Sequence, residues 1–135
     1  MTNPQHLHLA LAALAPAGTA FHDDEAPGGG DPPWIVGGLQ VPESILAETG
    51  THGGTARWWV TVSASNGAQA RVVAQECMDA WDEARVSVPG WKLGTLRHKT
   101  ATGPYPAGLT DTDTDLRFQV VRLGFDLTLS RAPAP

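Results

Sequence analysis

The segment from residue 56 to residue 85 changes its hydrophobic period, and this change restricts the folds open to the chain. Residues 58–63 alternate as a strand does, with Trp58, Val60 and Val62 on one face. Beyond residue 67 the period becomes helical, because apolar side chains recur every three or four positions. These side chains are Ala70, Val73, Cys77, Trp81 and Ala84. The pattern predicts one unit of strand, tight turn and amphipathic helix.

The polar turn at residues 65–67 marks the start of that helix. Asn66 is followed three residues later by Gln69, which is the spacing of a capping box. We therefore expect a helix over residues 66–85 that covers a sheet with its apolar face. The residues expected at that contact are Val73, Cys77 and Trp81.

The N-terminal part of the chain predicts a helix and two short strands. Residues 7–11 fit either type of element, but the alanine density and the break at Pro16-Ala17-Gly18 favour a helix. Asn3-Pro4 is a suitable start for it. Short strands are expected over residues 19–22 and 34–36.

Glycine, proline and acidic residues predict three long loops, at residues 23–33, 37–55 and 101–115. A strand over residues 91–100 precedes the third loop. The terminal strand is long and changes phase once: Leu116, Phe118 and Val120 share one face, whereas the apolar positions from Val121 onwards have the other parity. A β-bulge near Val120-Val121 explains this slip.

These elements predict an α+β fold: a mixed, mainly antiparallel sheet with an N-terminal helix and one long amphipathic helix packed on it. A chain of 135 residues is long enough for one domain that buries roughly 70% of its unfolded surface. We expect this domain over residues 1–131, followed by an extended Ala/Pro tail at residues 132–135.

The charge balance argues against a protein that coats nucleic acid. The formal net charge is −5, and the nine Lys and Arg residues are scattered rather than clustered. No apolar run approaches the roughly 18 residues of a membrane span. Residues 7–17 resemble a signal-peptide core, but no Lys or Arg precedes them, so we expect a protein that is not secreted.

Cys77 is the single cysteine of the chain, which excludes an intrachain disulfide and a cysteine-based metal site. It is either a nucleophile or a small buried hydrophobe. Its place on the apolar face of the predicted helix favours the buried hydrophobe.

Two groups of metal-ligand residue types occur, and neither predicts a metal site. The first comprises His6, His8, His22, Asp23 and Asp24, whose spacing matches no compact zinc pattern. His6 and His8 are also expected on different sides of a helix.

The second group is the run Asp111-Thr112-Asp113-Thr114-Asp115, which begins like a calcium-binding loop. An EF-hand requires Gly and Glu where this chain has Leu116 and Arg122. No phosphate-binding glycine loop and no Ser-His-Asp arrangement is present either. We therefore predict no catalytic residues, no metal and no cofactor.

The exposed side of the predicted long helix is acidic, and it is the main candidate for a contact surface. Like charges three or four residues apart repel, and acids near a helix C-terminus oppose the helix dipole. The acidic residues are Glu76, Asp79, Asp82 and Glu83. Basic groups of a neighbouring subunit would compensate them, and the candidates are Arg57, Arg71, Arg117 and Arg122. The alternative is a solvated helix face.

The order of the elements resembles a known family. A Leu/Ala-rich helix and a short strand lead to the acidic segment Asp23-Asp24-Glu25-Ala26-Pro27, and then to a Pro-Pro-Trp-Ile-Val strand at residues 32–36. The strand at residues 58–63 enters the long helix, a Trp-Lys-Leu strand at residues 91–93 follows, and the Thr/Asp-rich loop precedes the terminal strand with residues 118–126. This order resembles the tail-terminator (minor tail) proteins of long-tailed, siphovirus-type phages.

The resemblance implies a structural virion protein rather than an enzyme. It implies a homo-oligomeric ring, usually a hexamer, that caps the tail tube on one side and faces the neck or head-completion proteins on the other. The expected location is the tail–neck region of the virion, after assembly in the host cytoplasm. DNA would pass through the ring without sequence-specific binding, and an acidic wall would not retain it. No membrane partner is expected.

Two alternatives remain open at this stage. The first is another neck component, such as a stopper, connector or head-completion protein. The second is a small ligand-binding or enzymatic α/β domain with its site under the loop at residues 37–55.

Overall fold

The computed structural model describes residues 4–17, 19–23, 33–41, 54–106 and 119–131. Within these ranges the chain forms two helices and six strands. The helices are α1 (Pro4–Ala12) and α2 (Gly67–Trp81). The strands are β1 (Ala20–Asp23), β2 (Trp34–Gln40), β3 (Gly54–Ala64), β4 (Trp91–Leu93), β5 (Arg97–Pro106) and β6 (Gln119–Arg131). No described helix has the length and apolar character that crossing a membrane requires.

The central strand of the sheet is β3, the strand with the alternating tryptophan and valine pattern. Its residues 56, 58, 60, 62 and 64 are buried, and the residues between them are partly exposed. On one side β3 pairs antiparallel with β2, which in turn pairs parallel with the edge strand β1. On the other side β3 pairs antiparallel with β6 along its whole length. Among the described strands only the β1–β2 pair is parallel, so the predicted α+β class with a mainly antiparallel sheet is confirmed.

The edge of β6 that faces away from β3 pairs with two strands, one after the other along its length. Strand β5 pairs with residues 119–126 of β6, and β4 pairs with residues 129–131. Both ladders are antiparallel. Because β3 already occupies the other edge of β6, β4 and β5 lie in line along one sheet edge.

Both helices pack on the same face of the sheet, where an aromatic cluster fills the centre of the core. The indole rings of Trp58 on β3 and Trp81 on α2 have centroids 5.8 Å apart, and both side chains are fully buried. Phe21 and Phe125 lie beside them at the two ends of the cluster. From α1, the buried His8 ring meets Trp58 edge-on at 5.3 Å. The predicted core face of α2, through Val73, Cys77 and Trp81, is confirmed.

Helix α2 begins with the predicted capping residue. The side-chain oxygen of Asn66 accepts a hydrogen bond from the backbone N–H of Gln69 at 2.8 Å, which satisfies one free donor of the first turn. The reciprocal bond is shifted by one residue from a capping box, because Gln69 Oε1 accepts from the N–H of Ser65 at 2.9 Å. The helix start is therefore held by two side chains.

Replacing Asn66 by alanine is expected to lower the free energy of unfolding by about 1 kcal/mol, since the N–H of Gln69 loses its acceptor. Urea unfolding followed by circular dichroism measures this change. Asn66→Asp, which keeps an acceptor at the cap, is the matched control and should stay close to the wild type. Equal losses in both variants would contradict a capping role.

Two predicted loops are shorter than expected. Strand β2 continues through Gly37 and Gly38 to Gln40, because the register with β3 pairs each of these residues. Residues 101–106, predicted as loop, belong to β5, which pairs with β6 at residues 101, 102, 105 and 106. Two strands also replace the single one predicted over residues 91–100, and α2 ends at Trp81 rather than at residue 85. Predictions at residues 24–32, 42–53, 107–118 and 132–135 lie outside the described residues.

The predicted β-bulge near Val120-Val121 is wrong. The β3–β6 register is continuous from Gly54↔Leu129 to Ala64↔Gln119, and the irregularities lie in β5 instead, between His98 and Thr100 and between Thr102 and Tyr105. Val120 and Val121 point to opposite faces, and both are buried. Burial on both faces, rather than a slip in the strand, explains the change of hydrophobic parity.

Candidate assembly surface

The second face of the sheet carries a different set of side chains from the core face. Strand residues alternate in direction, so the neighbours of the buried β3 residues point away from both helices. Three rows of paired residues across β2, β3 and β6 define what we term the open face. They are Val36–Thr61–Arg122, Gly38–Trp59–Gly124 and Gln40–Arg57–Asp126. In the described ranges, no helix lies on this face.

Trp59 lies at the centre of the open face with a glycine on each side. Gly38 pairs with it from β2 and Gly124 from β6. The indole ring leans over Gly124, where an added Cβ atom would lie 2.8 Å from ring atom Cζ3. Its Nε1–H donates to Gln40 Oε1 at 3.1 Å. The missing side chain at Gly124 and this hydrogen bond hold a large, half-buried aromatic ring against the sheet.

Two guanidinium groups lie close to the Trp59 ring. The Cζ atoms of Arg57 and Arg122 are 5.2 Å and 4.5 Å from the ring centroid, within the range of cation–π attraction. Arg57 is also paired, since its Nε donates to Asp126 Oδ1 at 2.9 Å. Arg122 is exposed, and the described part of the chain offers it no carboxylate. Among the described residues of the three rows, Arg122 is therefore the cation without a carboxylate partner.

A shallow depression of about 280 Å³ lies beside Trp59 on the β2 side. Residues 36–40 of β2 line it together with Trp59, Thr61 and Arg122. Arg122 is its cationic residue, and Trp59 is its aromatic residue. The depression therefore offers an aromatic contact next to a cation.

The acidic surface of α2 lies on the other side of the molecule. Glu76, Asp79, Asp82 and Glu83 are all exposed, as predicted. Two of the carboxylates already accept hydrogen bonds: Asp79 from the Gln75 side chain at 2.9 Å and Asp82 from the His98 backbone N–H at 3.0 Å. On the same side the helix exposes Val72, whose surface is 60% accessible. The solvent side of α2 is thus acidic with one large apolar side chain.

The structure divides the described members of the predicted basic group between two sides of the molecule. Arg57 and Arg122 lie on the open face, across the sheet from the carboxylates. Arg71 lies on α2 itself, exposed on the same helix as the acids. Arg117 is outside the described residues. A contact between subunits through these residues stays a prediction.

The described part of the chain holds no cluster of three or more His, Cys, Asp or Glu residues that could bind a metal ion. The residues considered above as metal ligands therefore form no such cluster there. His6 is exposed and His8 is buried against Trp58, in agreement with their predicted separation on α1. The Asp111–Asp115 run lies outside the described ranges.

We expect the fold to be independent of divalent metal. Adding a chelator to the purified chain should leave the thermal unfolding midpoint unchanged, because a metal bound only to the native state would raise it. Differential scanning calorimetry before and after chelation measures this. A large drop in the midpoint, restored by calcium or zinc, would point to the Asp111–Asp115 run or to the histidines.

Cys77 is fully buried on the core face of α2. Burial, with a smaller contribution from the charge of Glu76, raises the pKa of its thiol from 9.0 to about 12. A nucleophilic cysteine requires the thiolate, which this environment disfavours. The side chain acts as a small core residue, in line with the interpretation drawn from the sequence.

The raised pKa of Cys77 makes stability depend on alkaline pH. Below pH 9 the thiol is protonated in both states, and above it the unfolded chain alone loses the proton, until the folded thiol also ionises near pH 12. Stability should therefore fall by about 1.4 kcal/mol between roughly pH 8 and pH 10 from this group. Urea unfolding of Cys77→Ala at the same two pH values isolates the contribution. An identical pH slope in the variant would contradict it.

The surface around Trp59 was not anticipated from the sequence. The pattern assigned Trp58 to the core and left Trp59 on the other face without a role. A local signal existed, because a large aromatic at an outward strand position is unusual unless something covers it. The glycines and the arginine beside it come from β2 and β6, so only the strand register reveals the arrangement.

Comparison with known proteins identifies the family. The family model described as tail completion protein gp17 matches residues 7–123. The chain belongs to this family. The resemblance to phage tail-terminator proteins is thereby confirmed, and membership indicates a structural protein of a phage-type virion tail.

A solved structure shares the fold of this tail completion protein. The match is a chain in the virion of a native gene transfer agent particle, with a TM-score of 0.60 and 24% sequence identity. It covers 93% of the present chain and 90% of that chain. No curated protein sequence matches significantly.

Proposed function

We propose that this tail completion protein caps the tail tube as a closed ring, most simply a hexamer, and forms the tail side of the head–tail junction. Family membership over residues 7–123 is the observation that carries the proposal. The virion context of the structural neighbour is consistent with it. In this role the tail-tube protein binds one side of the ring and a neck or head-completion protein binds the other.

The distribution of surfaces supports a ring. A ring is built from head-to-tail contacts, in which two different patches of each subunit meet. The acidic surface of α2 and the cationic open face are such a pair, since they lie on opposite sides of one subunit. An isologous dimer, by contrast, requires one self-complementary patch. The net charge of −5 also suits a channel through which DNA passes without being held.

Deleting the gene for this chain, so that particles assemble without it, tests the proposal. Without the ring, electron microscopy should show filled heads separate from tails, and tails of irregular length. Supplying the wild-type chain should restore joined particles. Normal particles in its absence would exclude the role.

The main competing assignment is a stopper or connector on the head side of the junction. Antibody labelling of separated heads and tails distinguishes the two, because a tail cap stays with isolated tails. Labelling confined to isolated heads would favour the stopper assignment over the one proposed here.

A further inference from the structure

We propose that α2 of one copy docks on the open face of the next copy, with Val72 in the depression beside Trp59. In this arrangement the carboxylates of Glu76 and Asp79 face Arg122. The inference rests on the self-assembly proposed above and names the residues that mediate it. The occupant of the open face is thus a second copy of this chain.

Charge complementarity selects Arg122 from the predicted basic residues. Arg57 is already paired with Asp126 at 2.9 Å. Arg71 lies on α2 together with the acidic residues. It would meet the carboxylates of another copy only in a contact between two α2 helices. Arg122 is exposed and, among the described residues, faces no carboxylate. Within the three rows, an incoming acidic group therefore meets the Arg122 guanidinium without a carboxylate partner. Arg97, opposite Asp126 on β5, lies beyond the rows at the sheet edge.

Trp59 prepares Arg122 for this contact. The guanidinium lies 4.5 Å from the ring centroid, so part of its side-chain freedom is already lost before a partner arrives. Arginine also offers two parallel donors that match a carboxylate. The entropic cost of ordering a long surface side chain is thereby reduced at the moment of binding.

Val72 gives the acidic surface an apolar centre. It is 60% exposed, and Glu76 and Asp79 follow it by four and seven residues, which places all three on one stripe of the helix. Trp59 and Arg122 are among the residues that line the depression of about 280 Å³ on the open face. The helix stripe and the depression therefore match at two points: Val72 against the Trp59 ring, and the carboxylates against the guanidinium.

The contact is head-to-tail, since the two surfaces lie on opposite faces of the sheet. Repetition of one such contact builds a ring or a chain of subunits. It would also cover the open face with a helical layer, so that each sheet becomes sandwiched between its own helices and a neighbour's. Ion pairs at such contacts mainly determine register and partner choice.

Charge reversal on either surface tests the proposal with the purified full-length chain. Arg122→Glu and the double variant Glu76→Lys/Asp79→Lys should each weaken self-association by roughly tenfold or more in sedimentation velocity. Lys99→Glu, the same charge change on exposed strand β5, is the control and should associate like the wild type. Unchanged thermal midpoints of the monomers establish that the variants fold.

Mixing the two variants gives the decisive result. Each variant alone brings like charges together at every contact. In an equimolar mixture, the acidic helix of the Arg122→Glu variant meets the unchanged Arg122 of the double variant, and the basic helix of the double variant meets the acidic open face of the other. The mixture should therefore associate like the wild type, with the two variants alternating. Failure of the mixture to associate would overturn the proposal, as would a wild type that stays monomeric at all concentrations.

This experiment is independent of the virion position of the protein. It uses only copies of the chain, so its outcome does not change if labelling places the protein on the head side. Conversely, if the mixture does not associate, a tail-capping ring would have to use other surfaces. The two proposals therefore fail separately.

Discussion

Replacing Trp81 by alanine is expected to lower the free energy of unfolding by about 3–5 kcal/mol. The indole is fully buried on α2 and contacts Phe21, Trp58 and Phe125. Its Nε1–H donates to the Leu11 carbonyl at 2.9 Å, which ties α1 to α2. The variant loses the transfer free energy of the ring and leaves a cavity at the junction of both helices and the sheet. Urea unfolding followed by far-ultraviolet circular dichroism measures the loss.

Two control variants separate the contributions of Trp81. Trp81→Phe keeps most of the apolar volume and removes the donor. The Leu11 carbonyl still accepts from the Leu14 N–H at 3.1 Å, so we expect a loss of about 0.5–1.5 kcal/mol for the missing hydrogen bond. Arg71→Ala changes an exposed side chain of the same helix and should stay within about 0.5 kcal/mol of the wild type. If Trp81→Ala were as mild as Arg71→Ala, the assignment of the helix face would be wrong.

The parts of the fold that follow local rules were predictable from the sequence. Strand β3 and helix α2 carry complete periodic patterns, and the polar turn between them supplies the cap at Asn66. In this segment, intrinsic propensity, hydrophobic pattern and capping residues all predict the same secondary structure. Such agreement makes the β3–α2 unit predictable without an alignment.

The predictions failed where pairing with a distant strand overrides local preference. Gly37-Gly38 indicated the start of a loop, but the ladder to β3 keeps them in β2. Residues 101–106 contain Gly103 and Pro104, which locally indicate a turn, yet β6 pairs with this stretch. The described residues pair β5 on one side only, and loop-forming residues are tolerated on such an edge strand because only one side must hydrogen-bond.

The candidate surface also has one part that was predictable from the sequence and one part that was not. The acidic side of α2 was predictable, because a helix places residues three and four apart on one face. The cationic side was not, since the closeness of Arg122 to Trp59 depends on how β6 is aligned with β3. A shift of one residue in that ladder would turn Arg122 into the core. The sequence therefore predicted arginine as the partner of the acidic surface, which stays a prediction, and it did not predict the surroundings of Arg122.

Replacing Gly37 by alanine is expected to destabilise the fold by about 1–3 kcal/mol, although the same change in an unobstructed strand would be stabilising. Gly37 pairs with Val60 on the core side of β2. An added Cβ atom would lie 2.6 Å from Cζ of Phe21 and 2.8 Å from the Trp58 ring. These two rings stack at a centroid distance of 6.1 Å, so neither can move without disturbing the other. Overpacking outweighs the gain in backbone entropy.

Gly67→Ala is the matched control for this substitution, because its added Cβ atom meets nothing closer than the Arg71 side chain at 3.8 Å. It lies in the first turn of α2 and should stabilise the chain by about 0.4–1 kcal/mol. A second test is Phe21→Leu, which removes the ring atoms that clash with the new methyl group. Urea unfolding of both single variants and of Phe21→Leu/Gly37→Ala should give a total loss smaller than the sum, by about 0.5–3 kcal/mol. Strict additivity would mean that the cost at Gly37 does not arise from contact with Phe21, and that the glycine is required by the backbone of β2 instead.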